Sequence, residues 1–179
     1  GKIKANGVIT YYLEEKNGEL LFKPYYVITP DKESKSIPSL LNLNVNFDQH
    51  GGVLSYVLSQ RKMVYVREVD PNFLSSSSSK DFYKLLPIRS HITIPLFLDQ
   101  FPVGAIQFYS LYHSIEISDE ELLELKQSAH SIAMILKSIL LYEKIYRNYS
   151  TIKKVNANMK KELKLAQRIQ ENLLPKSPP

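Results

Sequence analysis

The chain has 179 residues, a net charge of +5, 44% hydrophobic residues and no cysteine. That length suits one domain plus an appendage, with enough apolar material for a core. The composition excludes disulfides, a cysteine-linked chromophore, a cysteine-rich zinc site and thiol redox chemistry, and no apolar run reaches the length of a membrane span or heads a secretory signal.

In chain order, Gly7 to Leu13 and Glu19 to Ile28 alternate apolar and polar residues around Asn17-Gly18, which predicts a β-hairpin. Thr29 to Ser39, with two prolines and alternating charge, reads as a loop. Gly51 to Ser59 has helical spacing at Val53, Tyr56 and Val57, and Met63 to Val69 reads as a strand. Five consecutive serines, Ser75 to Ser79, cannot build a core and read as a mobile loop, with a short helix over Asp81 to Leu86. His91 to Leu98 alternates, with Ile92, Ile94, Leu96 and Leu98 on one face. Asp99-Gln100 turns the chain, and Val103 to Tyr109 returns as a strand in which Gly104 marks a close backbone approach.

A long helix follows. Ser118 stands as N-cap with Glu121 as its capping-box partner, Ile117 and Leu122 are placed for a hydrophobic staple, and Asp119-Glu120-Glu121 complement the helix dipole. No glycine or proline interrupts the chain from there to Pro175, so the helix should end near Leu174. Its length is on the order of 80 Å, more than a small domain's width, so part of it should project. Leu125, Ala129, Ile132, Ala133, Leu136, Ile139 and Leu140 form a wide apolar face that should pack on the sheet. Beyond it, apolar residues recur every seven positions at Ile145, Ile152, Met159, Ala166 and Leu173, with Val155 and Ile169 in the companion position. Asn148 and Glu162 break that companion position, while Tyr149 and Leu163 lie one residue later. This is the signature of an imperfect coiled coil and hence of a homodimer; a single helix lying on a neighbouring domain is the alternative.

Most of the net charge sits on this helix, since eight Lys/Arg face three Glu between Glu143 and Glu171. A solvated helix surface accounts for it, and no nucleic-acid or membrane partner is expected. The acidic residues Asp31, Asp48, Asp70, Asp81 and Asp99 are scattered. The histidines His50, His91, His113 and His130 show no metal-ligand spacing, so no metal site is expected here. No catalytic residue is assigned.

The order hairpin, loop, helix, strand, short helix, hairpin, long helix resembles a GAF domain, an α+β sensory module with a central antiparallel sheet flanked by helices. The segments that carry the resemblance are Gly52 to Val66, the paired strands of Ser90 to Phe108 with Pro95-Leu96 and Val103-Gly104, the helix start at Ile117 to Leu125, and Ala129 to Leu140. The resemblance implies a pocket near Phe47, Tyr65, Phe82, Tyr83 and His91, for a small-molecule ligand of unknown identity; those aromatics serve equally as core. A bilin chromophore lacks its cysteine, and the cyclic-nucleotide motif is absent.

The segment Lys161 to Pro179 resembles the connector into the catalytic domain of bacterial serine phosphatases similar to stage II sporulation protein E. Glu162, Leu163, Ala166, Ile169, Gln170, Leu173, Leu174 and Pro175 fill its Glu-Leu-x-x-Ala-x-x-Ile-Gln-x-x-Leu-Leu-Pro pattern. By that resemblance residues 1–141 are the sensory domain, 142–174 a signalling coiled-coil helix and 175–179 the start of a linker to a phosphatase domain that would bind Mn or Mg; these residues hold no cofactor and no enzyme. The expected role is regulation of a cytoplasmic phosphatase acting on a phosphoserine of a partner-switching, anti-sigma-antagonist type protein. A ligand-free dimerisation module, or a transcription regulator with a basic helix, are the alternatives.

Overall fold

The computed structural model describes residues 4–30, 36–48, 52–74 and 77–173. The chain divides into two units, residues 1–137 and 138–179.

The first unit is built on a six-stranded antiparallel sheet. Its strands are β1 (Gly7–Lys16), β2 (Glu19–Ile28), β3 (Val45–Asn46), β4 (Val64–Val66), β5 (Ser90–Leu98) and β6 (Phe101–Ser110), in the spatial order β3-β2-β1-β6-β5-β4. The β1–β2 hairpin closes through Asn17 and Gly18, both at positive φ (55° and 81°), as the Asn-Gly pair dictates. Pro24 and Tyr25 sit at a register shift in β2, where a residue without an N–H costs the ladder least. The second hairpin turns at Asp99 (φ 53°).

The described residues also form four α-helices: α1 (Ser36–Leu41), α2 (Gly52–Gln60), α3 (Ser77–Leu85) and α4 (Asp119–Leu173). Alternation gives the sheet two faces. Ile9, Tyr11, Ala105 and Tyr109 join Phe22 and the helix residues Leu40, Leu54, Val57 and Leu58 in one buried cluster. The opposite face carries Ile92, Ile94 and Leu96, also buried. At the C-terminus of α2, Arg61 takes the left-handed conformation (φ 51°), and the Lys62 N–H reaches the Val57 carbonyl at 3.2 Å, closing the helix.

Several sequence expectations change. Thr29 to Ser39 is not all loop, because α1 begins at Ser36 and contains Pro38; residues 31–35 lie outside the described residues. The serine run is not wholly a mobile loop. Ser77 to Ser79 form the first turn of α3, where serine competes least with helical hydrogen bonding; Ser75 and Ser76 lie outside the described residues. The strand expected over Met63 to Val69 shortens to Val64–Val66, because Asp70 caps a 3-10 turn at Pro71–Phe73 by accepting the Asn72 N–H at 2.9 Å. The two-residue β3 had no sequence signal.

The capping box at the start of α4 is formed. The Ser118 N–H donates to Glu121 Oε2 (2.9 Å) and the Glu121 N–H to Ser118 Oγ (3.2 Å). These bonds to Ser118, backbone first, hold the Glu121 carboxyl below the usual range. Replacing Ser118 by alanine should cost about 1 kcal/mol of stability, read as a lower midpoint in urea unfolding. Within the first unit, Ala133 and Leu136 are buried, and Leu125, Ala129 and Ile132 are half-buried.

In the second unit α4 continues to Leu173. Ile139, Ile145, Ile152, Val155, Met159 and Ile169 are exposed, Ile145 at 65%; Ala166 is exposed as well. Leu174 and Pro175 of the connector pattern lie outside the described residues.

Candidate ligand cavity

Three central strands aim polar side chains at the same side of the sheet. Tyr11 on β1 pairs across to Ala105 on β6, which places it next to Gln107 on the same face. Thr93 on β5 lies directly opposite Gln107, and His91 two residues earlier opposite Tyr109. The result is a continuous chain. The Tyr11 hydroxyl donates to Gln107 Oε1 (3.3 Å), Gln107 Nε2 donates to Thr93 Oγ1 (3.1 Å), and Thr93 Oγ1 bonds His91 Nδ1 (3.1 Å). All four residues are buried.

Above this floor is a cavity of about 90 Å³. Val53 and Leu54 of α2, Phe82 and Tyr83 of α3, and Val45, Val69, Leu74, Leu86 and Ile88 from the strand β3 and the connections form its mostly apolar walls, with Ser79 of α3 beside them. His91 also borders a wider cleft shared with Asp48, Ser55, Ser59 and Gln60. Among the described residues, no lysine, arginine or carboxylate lines the smaller cavity.

Burial sets the protonation states. Desolvation pulls the His91 imidazole down to about 4, so it is neutral at pH 7. Burial, and then the neighbouring Tyr109, push the Tyr11 hydroxyl well up. Tyr109, which donates to the Ile28 carbonyl (3.0 Å), is pushed up to about 12 by burial.

Of the residues expected at a pocket, Phe82, Tyr83 and His91 line the cavity and Phe47 and Tyr65 do not. Phe47 packs edge-on against Phe22 with ring centroids 5.8 Å apart. Tyr65 pairs with Ile92, so strand parity turns it to the other face, where its hydroxyl donates to the Ile115 carbonyl. The sequence reading missed Tyr11, Thr93 and Gln107. Their signal was the alternation itself, since inward positions of β1, β5 and β6 that carry polar side chains must find partners.

No group of three or more His, Asp or Glu able to hold a metal ion occurs among the described residues. No helix among them is long and apolar enough to cross a membrane. His130 on α4 is exposed.

Residues 5–136 match the GAF domain family, and the chain belongs to it. The GAF domain is a regulatory fold of signalling proteins. Solved structures share the architecture. The GAF domain/HD domain protein from Geobacter sulfurreducens superposes with a TM-score of 0.58 at 17% identity, covering 77% of this chain and 84% of that one. The GAF domain of a two-component sensor histidine kinase from Bacillus halodurans gives 0.53 at 19%, covering 76% and 84%. The type II free methionine-R-sulfoxide reductase from Thermoplasma acidophilum gives 0.52 at 21%, covering 75% and 80%. At these identities the likeness is one of fold. No curated protein matches the chain.

Proposed function

We propose that this chain is the sensory and relay part of a serine phosphatase that acts on a partner-switching phosphoprotein in the cytoplasm. The observation that carries the reading is one chain order: a GAF domain, then an uninterrupted helix, then the connector pattern of residues 162–175. In this reading the cavity above His91 takes a small molecule. The helix over residues 142–174 pairs with a second copy, and its pairing transmits occupancy to a phosphatase domain that holds Mn or Mg. Such coupling requires two helix arrangements that the ligand distinguishes. The broken companion positions at Asn148 and Glu162 favour an adjustable pairing.

The test is manganese-dependent phosphate release from a phosphoserine protein by the full gene product and by residues 1–179 separately. Activity is expected in the first and absent in the second. Phosphatase activity in residues 1–179, or none in the full product, would sink the assignment.

The second reading, a dimerisation module without a ligand, is favoured by one observation, the exposed apolar repeat on α4. Both readings predict that Ile152→Asp weakens dimerisation at least about tenfold in sedimentation equilibrium, because a carboxylate would enter an apolar seam. Only the first predicts that a small molecule raises the melting temperature.

A further inference from the structure

The hydrogen-bond chain under the cavity has a direction, and that direction selects a ligand. Tyr11 is 1% exposed, and among the described residues Gln107 is its one side-chain hydrogen-bond partner, so its O–H donates to Oε1. That fixes the Gln107 amide with Nε2 toward Thr93, to which it donates. Thr93 is fully buried, and the one acceptor left for its hydroxyl proton is His91 Nδ1. Reversing the chain would strand the Tyr11 proton in the core, at a cost of about 1–3 kcal/mol. His91 therefore accepts at Nδ1 and carries its proton on Nε2.

Nε2 has no partner among the described residues, although His91 is only 8% exposed. No fully buried side-chain nitrogen or oxygen among the described residues lacks a partner, so Nε2 keeps contact with open space. His91 borders this cavity and the adjoining cleft, which meet along Val53, Leu74 and Ser79, and that joined space is where Nε2 opens. The floor thus offers the His91 Nε2–H, and among the described residues the rest of the lining adds the Tyr83 hydroxyl and the second N–H of Gln107 but no charged side chain. Asp48 in the adjoining cleft is exposed and already engaged. An anion would enter without a counter-cation, and a cation would meet an N–H donor. Size is bounded too: an engineered apolar cavity of about 150 Å³ admits benzene, so the smaller space here suits a molecule of about four heavy atoms.

We infer that the cavity binds a small uncharged molecule, mostly apolar, whose single hydrogen-bond acceptor, of carbonyl or ether type, is held by His91 Nε2–H. This rests on the sensory reading above and adds to it the chemical class of the signal.

The experiment uses residues 1–179 with nitrogen-15-labelled histidine and four probes of equal heavy-atom count: acetone, isobutane, acetate and isopropylammonium. Without probe, NMR at pH 7 should show His91 neutral, with the proton on Nε2. Acetone should move the Nε2 resonance and bind about tenfold or more tightly than isobutane, as expected where a site donor is left unpaired by the hydrocarbon. The two ions should bind more weakly still. In His91→Leu the preference for the ketone should vanish, with hydrocarbon affinity kept within about threefold. An Nδ1–H tautomer, preference for either ion, failure of all four probes to bind, or a ketone preference that survives His91→Leu would each overturn the inference. Those outcomes are separate from the phosphatase reading: a full gene product without phosphatase activity would leave ketone selectivity intact, and lost selectivity would leave phosphate release unchanged.

Discussion

Gly104→Ala should unfold the sensory domain or leave it marginal, with a loss of about 4 kcal/mol or more. Gly104 sits in the middle of β6, paired with Tyr12 on β1 and Leu96 on β5. A methyl group there would collide with the Tyr11 carbonyl oxygen and lie 2.9 Å from both the Tyr11 carbonyl carbon and the Tyr12 Cα. All of these are backbone atoms of a neighbouring strand, so no rotamer change relieves the clash. Relief requires β1 to move away from β6, which would break central ladder bonds and open the cluster around Ile9, Tyr11 and Ala105. Losses of this size arise from overpacking a site that cannot give way. The measurement is urea unfolding followed by circular dichroism, with Gly18→Ala as the comparison. Nothing lies within 4 Å of a Cβ at Gly18, so that variant pays only for a side chain at φ 81°, about 1 kcal/mol. A Gly104→Ala protein as stable as Gly18→Ala would mean that β1 and β6 do not approach as described.

Gly104 also shows which parts of the structure were legible in the sequence. A glycine inside an alternating strand marks a close approach, and one lies there. The Asn17-Gly18 turn and the Ser118–Glu121 box were equally readable, because each is a local device whose partners lie within a few residues. The cavity floor is the opposite case. Tyr11 and Gln107 are 96 residues apart, and their bond exists only because β1 and β6 are neighbours in a particular register. Tyr65 failed for a related reason. The family resemblance places its segment at the pocket, but Val66 pairs with His91, so Tyr65 points the other way. One residue of parity decides the face, and the pairing register was not written in the strand itself. α1 was hidden by Pro38 within a polar stretch, and β3 is too short to show a period. The repeat on α4 was read at Ile145, Ile152 and Met159, and these side chains are exposed within their own unit; what covers them belongs to the dimer proposal.

His91 should make the domain acid-sensitive above the range in which carboxylates titrate. Its imidazole is held at about 4 in the folded chain by burial, against about 6.5 for an unfolded histidine. Between those values the unfolded state binds a proton at this position and the folded state does not. Stability therefore rises with pH across the window and falls as acid is added. Each pH unit inside the window is worth about 1.4 kcal/mol, so going from pH 7 to 5 should cost about 2 kcal/mol from this residue alone. Protonation also has a structural consequence: a proton on Nδ1 takes away the acceptor of the Thr93 hydroxyl, whose oxygen already receives Gln107 Nε2. His91→Gln is the decisive comparison, since its amide oxygen can accept from Thr93 while the side chain cannot titrate. Urea unfolding at pH 7, 6 and 5 should show the wild type losing about 2 kcal/mol more than the variant over that range. Equal slopes would mean that His91 charges without resistance, so that it is not the buried neutral donor on which ligand selection depends.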